Sequence, residues 1–474
     1  MKVSRVMFAA PRSGNGKTIV TCALLQAFKN RDRQTVSFKC GPDYIDPMFH
    51  EKVIGVPAKN LDTFFTDEEQ TRRIFLESLT EESFAVLEGV MGLYDGLGGI
   101  REEGSSYHLA KVTKTPVVFV VDAKGMGRSI ISLLAGFLAY DKEHLIQGVL
   151  LNRISKGYYE TIKPLIEKEL SIPVVGFLPD KEEFHIDSRY LGLILPQDLK
   201  DIQEKLQAAS EEFVKTVSVE RIIKIAEDAE ILSIATADRE RRSGHRSHRQ
   251  RRAVLPLQRK IEKDGPVIAV AKDEAFCFYY EANLSLLQEN GAEIKYFSPL
   301  RDEKLPDGCH ALLLGGGYPE LYAERLSENV KMREAVRHAV EDGMPIVAEC
   351  GGFLYLHSAM RDKEGINRDM AGVIPAECYD TGKSVRFGYV EIREKQGYFL
   401  PKGAKIKGHE FHYYESAGSG NDCIAIKPVT GKEYSCMIVD ETHWMGFPHL
   451  YYPSNPSFAR AFVEKAERYK EGLV

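Results

Sequence analysis

Two short stretches of this 474-residue chain carry side chains spaced for chemistry. The first is Ala10-Pro11-Arg12-Ser13-Gly14-Asn15-Gly16-Lys17-Thr18, between a candidate strand and a candidate helix. A glycine-rich loop in that context turns backbone N–H groups and a helix N-terminus toward phosphates. Gly14 and Gly16 would shape the loop, Lys17 would place a positive charge at the β- and γ-phosphates, and the Thr18 hydroxyl would hold Mg2+. ATP and Mg2+ are the cofactors this chemistry expects. The strict pattern wants glycine where Pro11 stands, so the loop is a variant. An ordinary glycine-rich turn is the bland alternative, and Lys-Thr directly after Gly16 argues against it. The second stretch is Pro345-Ile346-Val347-Ala348-Glu349-Cys350-Gly351-Gly352. A cysteine among small residues at a strand-to-helix turn has the form of a nucleophile elbow, with Ala348 in place of the first glycine. The following helix N-terminus is expected to favour the thiolate. His449, in Phe447-Pro448-His449-Leu450-Tyr451, is the candidate base, at a separation that the fold must close. Gly315-Gly316-Gly317-Tyr318-Pro319-Glu320 offers backbone donors for an oxyanion hole, with Gly316 and Gly351 as the named pair. A buried structural cysteine is the default for Cys350 alone; the elbow and the glycine loop together overturn it.

Four carboxylates, Asp43, Asp46, Glu88 and Asp95, follow the ends of two candidate strands. In open parallel sheets ligands bind outside those ends, and carboxylates suit Mg2+ beside nucleotide oxygens. Each alone reads as readily as a turn former or helix cap. Asn152 follows another strand, where its amide could read adenine; a plain loop asparagine is the alternative. His409 and His412 are three apart in a strand or turn, a poor metal pair, so a structural or substrate-facing role is expected.

The elements that must position these residues are legible as alternation. Apolar runs at Val3–Ala9, Thr35–Cys40, Phe84–Glu88, Pro116–Asp122, Gln147–Leu151 and Pro173–Phe177 read as strands buried on both faces. Helix-length stretches such as Lys17–Asn30, Ser129–Tyr140 and Tyr158–Leu170 lie between them, which is the pattern of an α/β domain with a mostly parallel sheet. Asp238–Arg252 breaks the pattern with seven arginines and reads as a solvated linker, or else as a docking strip for a polyanion. Alternation resumes with strands at Val267–Ala271, Glu293–Phe297, His310–Leu314 and Pro345–Ala348. Helices are expected at Glu281–Asn290, Pro319–Ser327, Val330–Asp342, Gly351–Ala359 and Ser457–Tyr469. The division is therefore a phosphate-loop, parallel-sheet domain over residues 1–235, an arginine-rich linker over 236–261, and a second α/β domain over 262–474.

Composition bounds the function. A hydrophobic share of 43% and a charged share of 28% exclude a mainly disordered chain. A net charge of −6 argues against a general nucleic-acid binder. The opening residues read as a strand rather than a signal peptide, and no apolar stretch is long enough to span a membrane. Eight scattered cysteines without C-x-x-C pairs fit a reducing cytoplasm.

Over nearly its whole length the chain resembles the cobyrinic acid a,c-diamide synthases, glutamine-dependent amidotransferases of cobalamin biosynthesis. The resemblance rests on Phe38–Asp46 with Pro47, Asn60-Leu61-Asp62-Thr63, Leu87–Gly96, Arg189-Tyr190-Leu191-Gly192-Leu193, Asp273–Tyr280, Phe297–Asp302, Gly315–Glu320, Ala348–Gly352 and Gly408–His412. It implies an N-terminal domain like dethiobiotin synthetase and a C-terminal domain like class I glutamine amidotransferases. It also implies that Lys17, Thr18, Asp43 and Glu88 serve ATP and Mg2+, that Tyr44, Ile45, Asp46 and Asp95 lie near the tetrapyrrole carboxylates, and that Cys350 and His449 are glutaminase nucleophile and base. Cobyrinic acid and L-glutamine are the implied partners; a homodimer is possible. Two positions depart from the pattern: Tyr190 replaces a histidine, and Tyr451 stands where most class I amidotransferases carry the glutamate two residues past the histidine. Ni-sirohydrochlorin and hydrogenobyrinic acid are alternative macrocycles. From a different class, a nucleotide-switch ATPase with an inactive amidotransferase domain is suggested by Arg12, which stands where some deviant phosphate-loop ATPases carry a lysine. Intact Cys350 and His449 argue against it.

Overall fold

A run such as Val117-Val118-Phe119-Val120-Val121 has no polar face to offer water, so a sheet built from such runs must be covered on both sides. The computed structural model, which describes residues 2–181, 184, 199–233, 265–362 and 364–473, has two sheets of this kind. They belong to two units of the chain, Met1–His245 and Arg246–Val474. The linker segment Asp238–Arg252, and Arg189–Leu193 with Tyr190, lie outside the described residues.

The sheet of the first unit contains β1 (Ser4–Ala9), β2 (Thr35–Cys40), β3 (Ala58–Leu61), β4 (Phe84–Glu88), β5 (Val117–Asp122), β6 (Ile146–Asn152) and β7 (Val174–Leu178). Its order is β3-β2-β4-β1-β5-β6-β7, with parallel pairings throughout. Alternate residues feed two cores. Met7, Ala9, Leu87 and Phe119 pack on one face, and Val6, Phe8, Val86 and Val118 on the other. The chain leaves β1 toward one edge and later crosses it toward the other, so β1 marks the point where strand order reverses. A crevice outside the carboxyl ends is expected there. Six of the seven strands coincide with the sequence expectation to within a residue or two. The seventh, β3, reads Ala-Lys-Asn-Leu, with both central side chains only half-buried, and carries no apolar run to betray it.

In the second unit β8 (Val267–Ala271), β9 (Phe276–Phe278), β10 (Glu293–Phe297), β11 (Ala311–Leu314), β12 (Gly316–Gly317) and β13 (Ile346–Glu349) come first. A six-stranded sheet runs β10-β8-β11-β13, then His443–Gly446, then Ile438–Val439; only the last pairing is antiparallel. An antiparallel sheet places Arg386–Glu394, Lys405–His412 and His449–Leu450 side by side. One expected helix is corrected. Gly351–Ala359 is helical only over Gly351–Tyr355, and His357–Arg361 is a strand that pairs with Ile374–Asp380. His357 causes the break: its Nδ1 pairs with Phe353 O and its Nε2 with Ser416 Oγ, so it is tied to the sheet. Among the described residues no helix is long and apolar enough to cross a membrane.

Trp444 is the chain's one tryptophan. It is fully buried against Phe458, ring centroids 4.9 Å apart, and Phe399, at 5.6 Å. Its fluorescence therefore reports on the second unit. Replacing Phe399 by alanine should cost that unit about 3–5 kcal/mol. The check is an earlier urea midpoint of Trp444 fluorescence than in the parent protein.

Candidate functional site

The phosphate-loop candidate starts where β1 ends and α1 (Lys17–Lys29) begins. Gly14 and Gly16 both take positive φ, 79° and 93°, as such a loop requires. A side chain at Gly16 would drive into the Asn152 amide nitrogen. Two asparagines hold the loop. Asn15 Oδ1 accepts from the Asp122 N–H at 3.0 Å, and Asn152 Nδ2 donates to Asn15 O at 2.9 Å. Asn152, expected to read adenine, uses one amide N–H to brace the loop. Pro11, the departure from the strict pattern, turns its carbonyl toward Gly92, and Leu93 N–H donates to Ala10 O. The segment after β4 is thereby packed on the loop.

Three of the four expected carboxylates, Asp43, Asp46 and Glu88, gather around a residue to which sequence reasoning gave no role. Lys39, at the end of β2 and almost fully buried, bonds Asp46 Oδ2 and Glu88 Oε1, the latter at 2.9 Å, and lies 3.7 Å from Asp43 Oδ2. Burial alone would strip its proton, but Asp46, Glu88 and Asp43 outweigh that and hold it well above the usual lysine range. Glu88 is pushed up to about 7, first by burial and then by Asp46. Asp43 rises for the same two reasons, and Asp46, despite burial, is held down by Lys39. Lys17 is lowered to about 8 by burial and by Lys39; its ammonium donates to Met91 O at 2.6 Å and Arg12 O at 3.3 Å. Asp95 accepts from Gly92 N–H at 2.9 Å within the same loop, and Tyr44 and Ile45 flank Asp46, where Asp43 Oδ1 caps Ile45 and Asp46 N–H. Asn60 Nδ2, from the β3 that sequence missed, fixes the carbonyls of Gly41 and Asp43.

Two oxygens suit a magnesium ion. Thr18 Oγ1 sits 2.7 Å from Glu88 Oε1, and Glu88 Oε2 is buried with no hydrogen-bond partner among the described residues. Among the described residues no three His, Cys, Asp or Glu side chains form a metal group of their own. The fit is to a hard cation that takes most of its ligands from nucleotide phosphates and water.

In the second unit Cys350 joins β13 to the short helix Gly351–Tyr355 with φ 48° and ψ −102°, a strained conformation for a side-chain-bearing residue. Its neighbours must be small. A side chain at Gly352 would strike Leu314 O, and one at Gly351 would lie 3.0 Å from Gly317 N and 2.9 Å from Pro319 Cδ. Cys350 N–H donates to Gly446 O at 2.8 Å, which ties the turn to the segment that leads into His449. His449 is buried against Gly316, with Gly316 Cα facing the ring. Cys350 and His449 are thus both brought to the loop of residues 315–319. Gly316 lies beside the imidazole, and Gly317 supplies the amide nitrogen nearer the turn.

The electrostatics differ from expectation in one respect. Burial pushes the Cys350 thiol up to about 12, with Glu320 adding, and the Gly351 N–H only partly offsets this. His449 is lowered to about 3 by burial, with His412 adding. A helix of only 5 residues is too short to favour the thiolate against burial. The free protein therefore holds a neutral thiol and a neutral imidazole. Glu349, also buried, is raised to about 8 by burial; it accepts from Leu450 N–H and from the Tyr452 hydroxyl, and so braces the strand that carries His449.

Comparison with known proteins agrees with this division of labour. Residues 6–191 match the CobQ/CobB/MinD/ParA nucleotide binding domain, and residues 267–446 match the CobB/CobQ-like glutamine amidotransferase domain. A cobyrinate a,c-diamide synthase of Caldanaerobacter subterraneus subsp. tengcongensis is 36% identical over 98% of this chain and 98% of its own. Those of Picrophilus torridus and Listeria innocua are 35% and 34% identical, over 98% and 96% of this chain and 99% and 98% of theirs.

The loop geometry makes Gly16→Ala severe: it should weaken binding of an ATP analogue more than about tenfold by calorimetry, since the new methyl displaces Asn152 and opposes the positive φ. The neutral thiol has its own signature. Alkylation of Cys350 by iodoacetamide, read peptide by peptide, should keep rising from about pH 7 to about pH 10, because each step adds thiolate below a raised pKa. A plateau near neutral pH would contradict the burial argument.

Proposed function

The chain belongs to the cobyrinate a,c-diamide synthase family, and we propose that it converts the a and c side-chain carboxylates of cobyrinic acid to amides, using glutamine and ATP. The observation that carries this reading is the pairing, in one chain, of a strained buried cysteine turn that shares the glycine loop 315–319 with His449, and a phosphate loop whose Thr18 and Lys17 stand among carboxylates.

In the second unit Cys350 Sγ attacks the glutamine side-chain carbonyl as its proton passes to His449. The tetrahedral oxyanion is met by the Gly351 N–H and by the glycine loop at Gly316 and Gly317. His449 returns the proton to the leaving nitrogen, ammonia departs, and water cleaves the remaining thioester to glutamate. The neutral resting pair suits this order, because the thiol proton moves only as the carbon–sulfur bond forms.

In the first unit a substrate carboxylate oxygen attacks the γ-phosphorus of ATP and ADP leaves. Ammonia then displaces phosphate from the acyl phosphate to give the amide. Lys17 orients the phosphates, the Gly14–Gly16 backbone cradles them, and Lys39 keeps Asp46 charged and holds both Asp46 and Glu88 in place. A magnesium ion would be held by Thr18, Glu88 and Asp43 and would supply neutralisation of phosphate charge. Tyr44, Ile45 and Asp46, at the start of the short helix Ile45–Phe49 that follows β2, and Asp95, in the segment after β4, are assigned the choice of which carboxylate enters, because ligands of open parallel sheets bind outside the strands' carboxyl ends.

Mass spectrometry of cobyrinic acid incubated with the protein, ATP, magnesium and glutamine should show two amidations. Cys350→Ser should lose them with glutamine and keep them with ammonium salts, whereas Lys17→Ala should lose both. Glutaminase activity without amidation of cobyrinic acid would redirect the substrate to Ni-sirohydrochlorin or hydrogenobyrinic acid.

A further inference from the structure

A glutaminase histidine must keep its ring in one plane while it takes and returns a proton. The acid that commonly does this, two residues on, is Tyr451 here. We propose that His409 is the positioning residue for His449, by stacking on its face; the inference rests on the glutaminase reading above.

Three observations meet at this ring. First, His409 and His449 are directly opposite one another in the antiparallel pairing of Lys405–His412 with His449–Leu450. Gly408 secures that register, since a side chain there would strike His449 O. Second, the two imidazoles are nearly parallel, 15° between planes and 5.0 Å between centroids. Third, the ring's edge is fixed separately. A Cβ built on Gly316 would lie 3.1 Å from His449 Nδ1 and 3.2 Å from Nε2, with Cε1 nearer still, so the Gly316 backbone abuts the Cε1 edge. Face and edge together restrict both side-chain torsions of His449.

His409 is itself held. The Tyr280 hydroxyl pairs with its Nδ1 at 3.2 Å, and the Tyr280 ring stands edge-on to both His409 and Tyr451. Tyr451 thus enters the cluster through its aromatic body rather than as a carboxylate. Stacking also matches the charge state. His409 is driven well below the usual histidine range by burial and by His449, so it presents a neutral π-face to the imidazolium formed during the reaction. A neutral ring can support that cation without fixing a second charge in the core.

The test separates orientation from folding and from the glutaminase reading itself. His409→Ala should lower kcat for glutamine-dependent amidation by roughly 30-fold, with KM for glutamine within about twofold, because only the positioned proton transfer is lost. His409→Phe keeps a flat ring and should recover to within about fivefold of the parent protein. Ammonium-driven amidation and the Trp444-reported urea midpoint serve as controls. The proposal is overturned if both variants match the parent, or if His409→Phe is as impaired as His409→Ala while the controls hold. Loss of the Trp444 transition in both variants also overturns it, in favour of a purely structural histidine. Cys350→Ser is run beside them: if it retained glutamine-dependent turnover, the glutaminase reading would fail first. If it behaves as expected and the His409 variants do not, only the stacking is wrong.

Discussion

Both parallel sheets are covered on both faces, and this limits where the molecule can place polar chemistry. A carboxylate or ammonium pointing from mid-strand would enter an apolar core at a cost of several kcal/mol. Beyond a strand's carboxyl end the chain must turn, and there side chains find backbone donors, helix N-termini and one another. The functional candidates follow this constraint closely. Lys17 and Thr18 follow β1, Lys39 closes β2 with Asp43 and Asp46 just past it, Glu88 ends β4, Asn152 ends β6, and Cys350 comes directly after β13.

What makes the carboxylate group possible is a buried cation. Without Lys39, Asp46 and Glu88 would face each other in a medium that opposes even one charge. With it, one ammonium links β2, β4 and the segment after β2 into a single polar cluster. His50 completes the enclosure as a neutral ring: burial lowers it to about 4, its Nδ1 pairs with Ser37 Oγ, and its Nε2 lies 3.5 Å from Glu88 Oε2. Its neutrality leaves Lys39 to carry the positive charge among these three carboxylates.

Much of this was legible in the residues, for reasons that can be stated. Strands buried on both faces announce themselves as unbroken Val, Ile and Phe runs, so six strands of the first sheet could be placed from sequence. β3 could not, because half of it is polar. Lys17, Thr18, Glu88 and Cys350 stand at turns whose glycines mark them. Lys39 looked like the end of an apolar strand, and only the fold shows three carboxylates around it. Local reasoning read Gly351–Ala359 as one helix, while His357, bonded across the sheet, ends it early. The neutral state of Cys350 was missed because a helix terminus is visible in sequence and the depth of burial is not. His409 and His412 read from their spacing as a poor metal pair, but the stack of His409 on His449 needed the register of two distant strands.

The bracing of the phosphate loop has a consequence for how this protein can change over generations. The Asn152 side chain donates to the Asn15 backbone carbonyl across the loop, and Gly16 leaves room for that amide. A larger residue at 16 evicts the Asn152 amide, a shorter one at 152 leaves the Asn15 backbone carbonyl unmet, and a change at 15 unfastens the Asp122 N–H instead. Positions 16 and 152 are therefore coupled through one hydrogen bond to a backbone carbonyl, whereas position 15 answers separately to the Asp122 N–H.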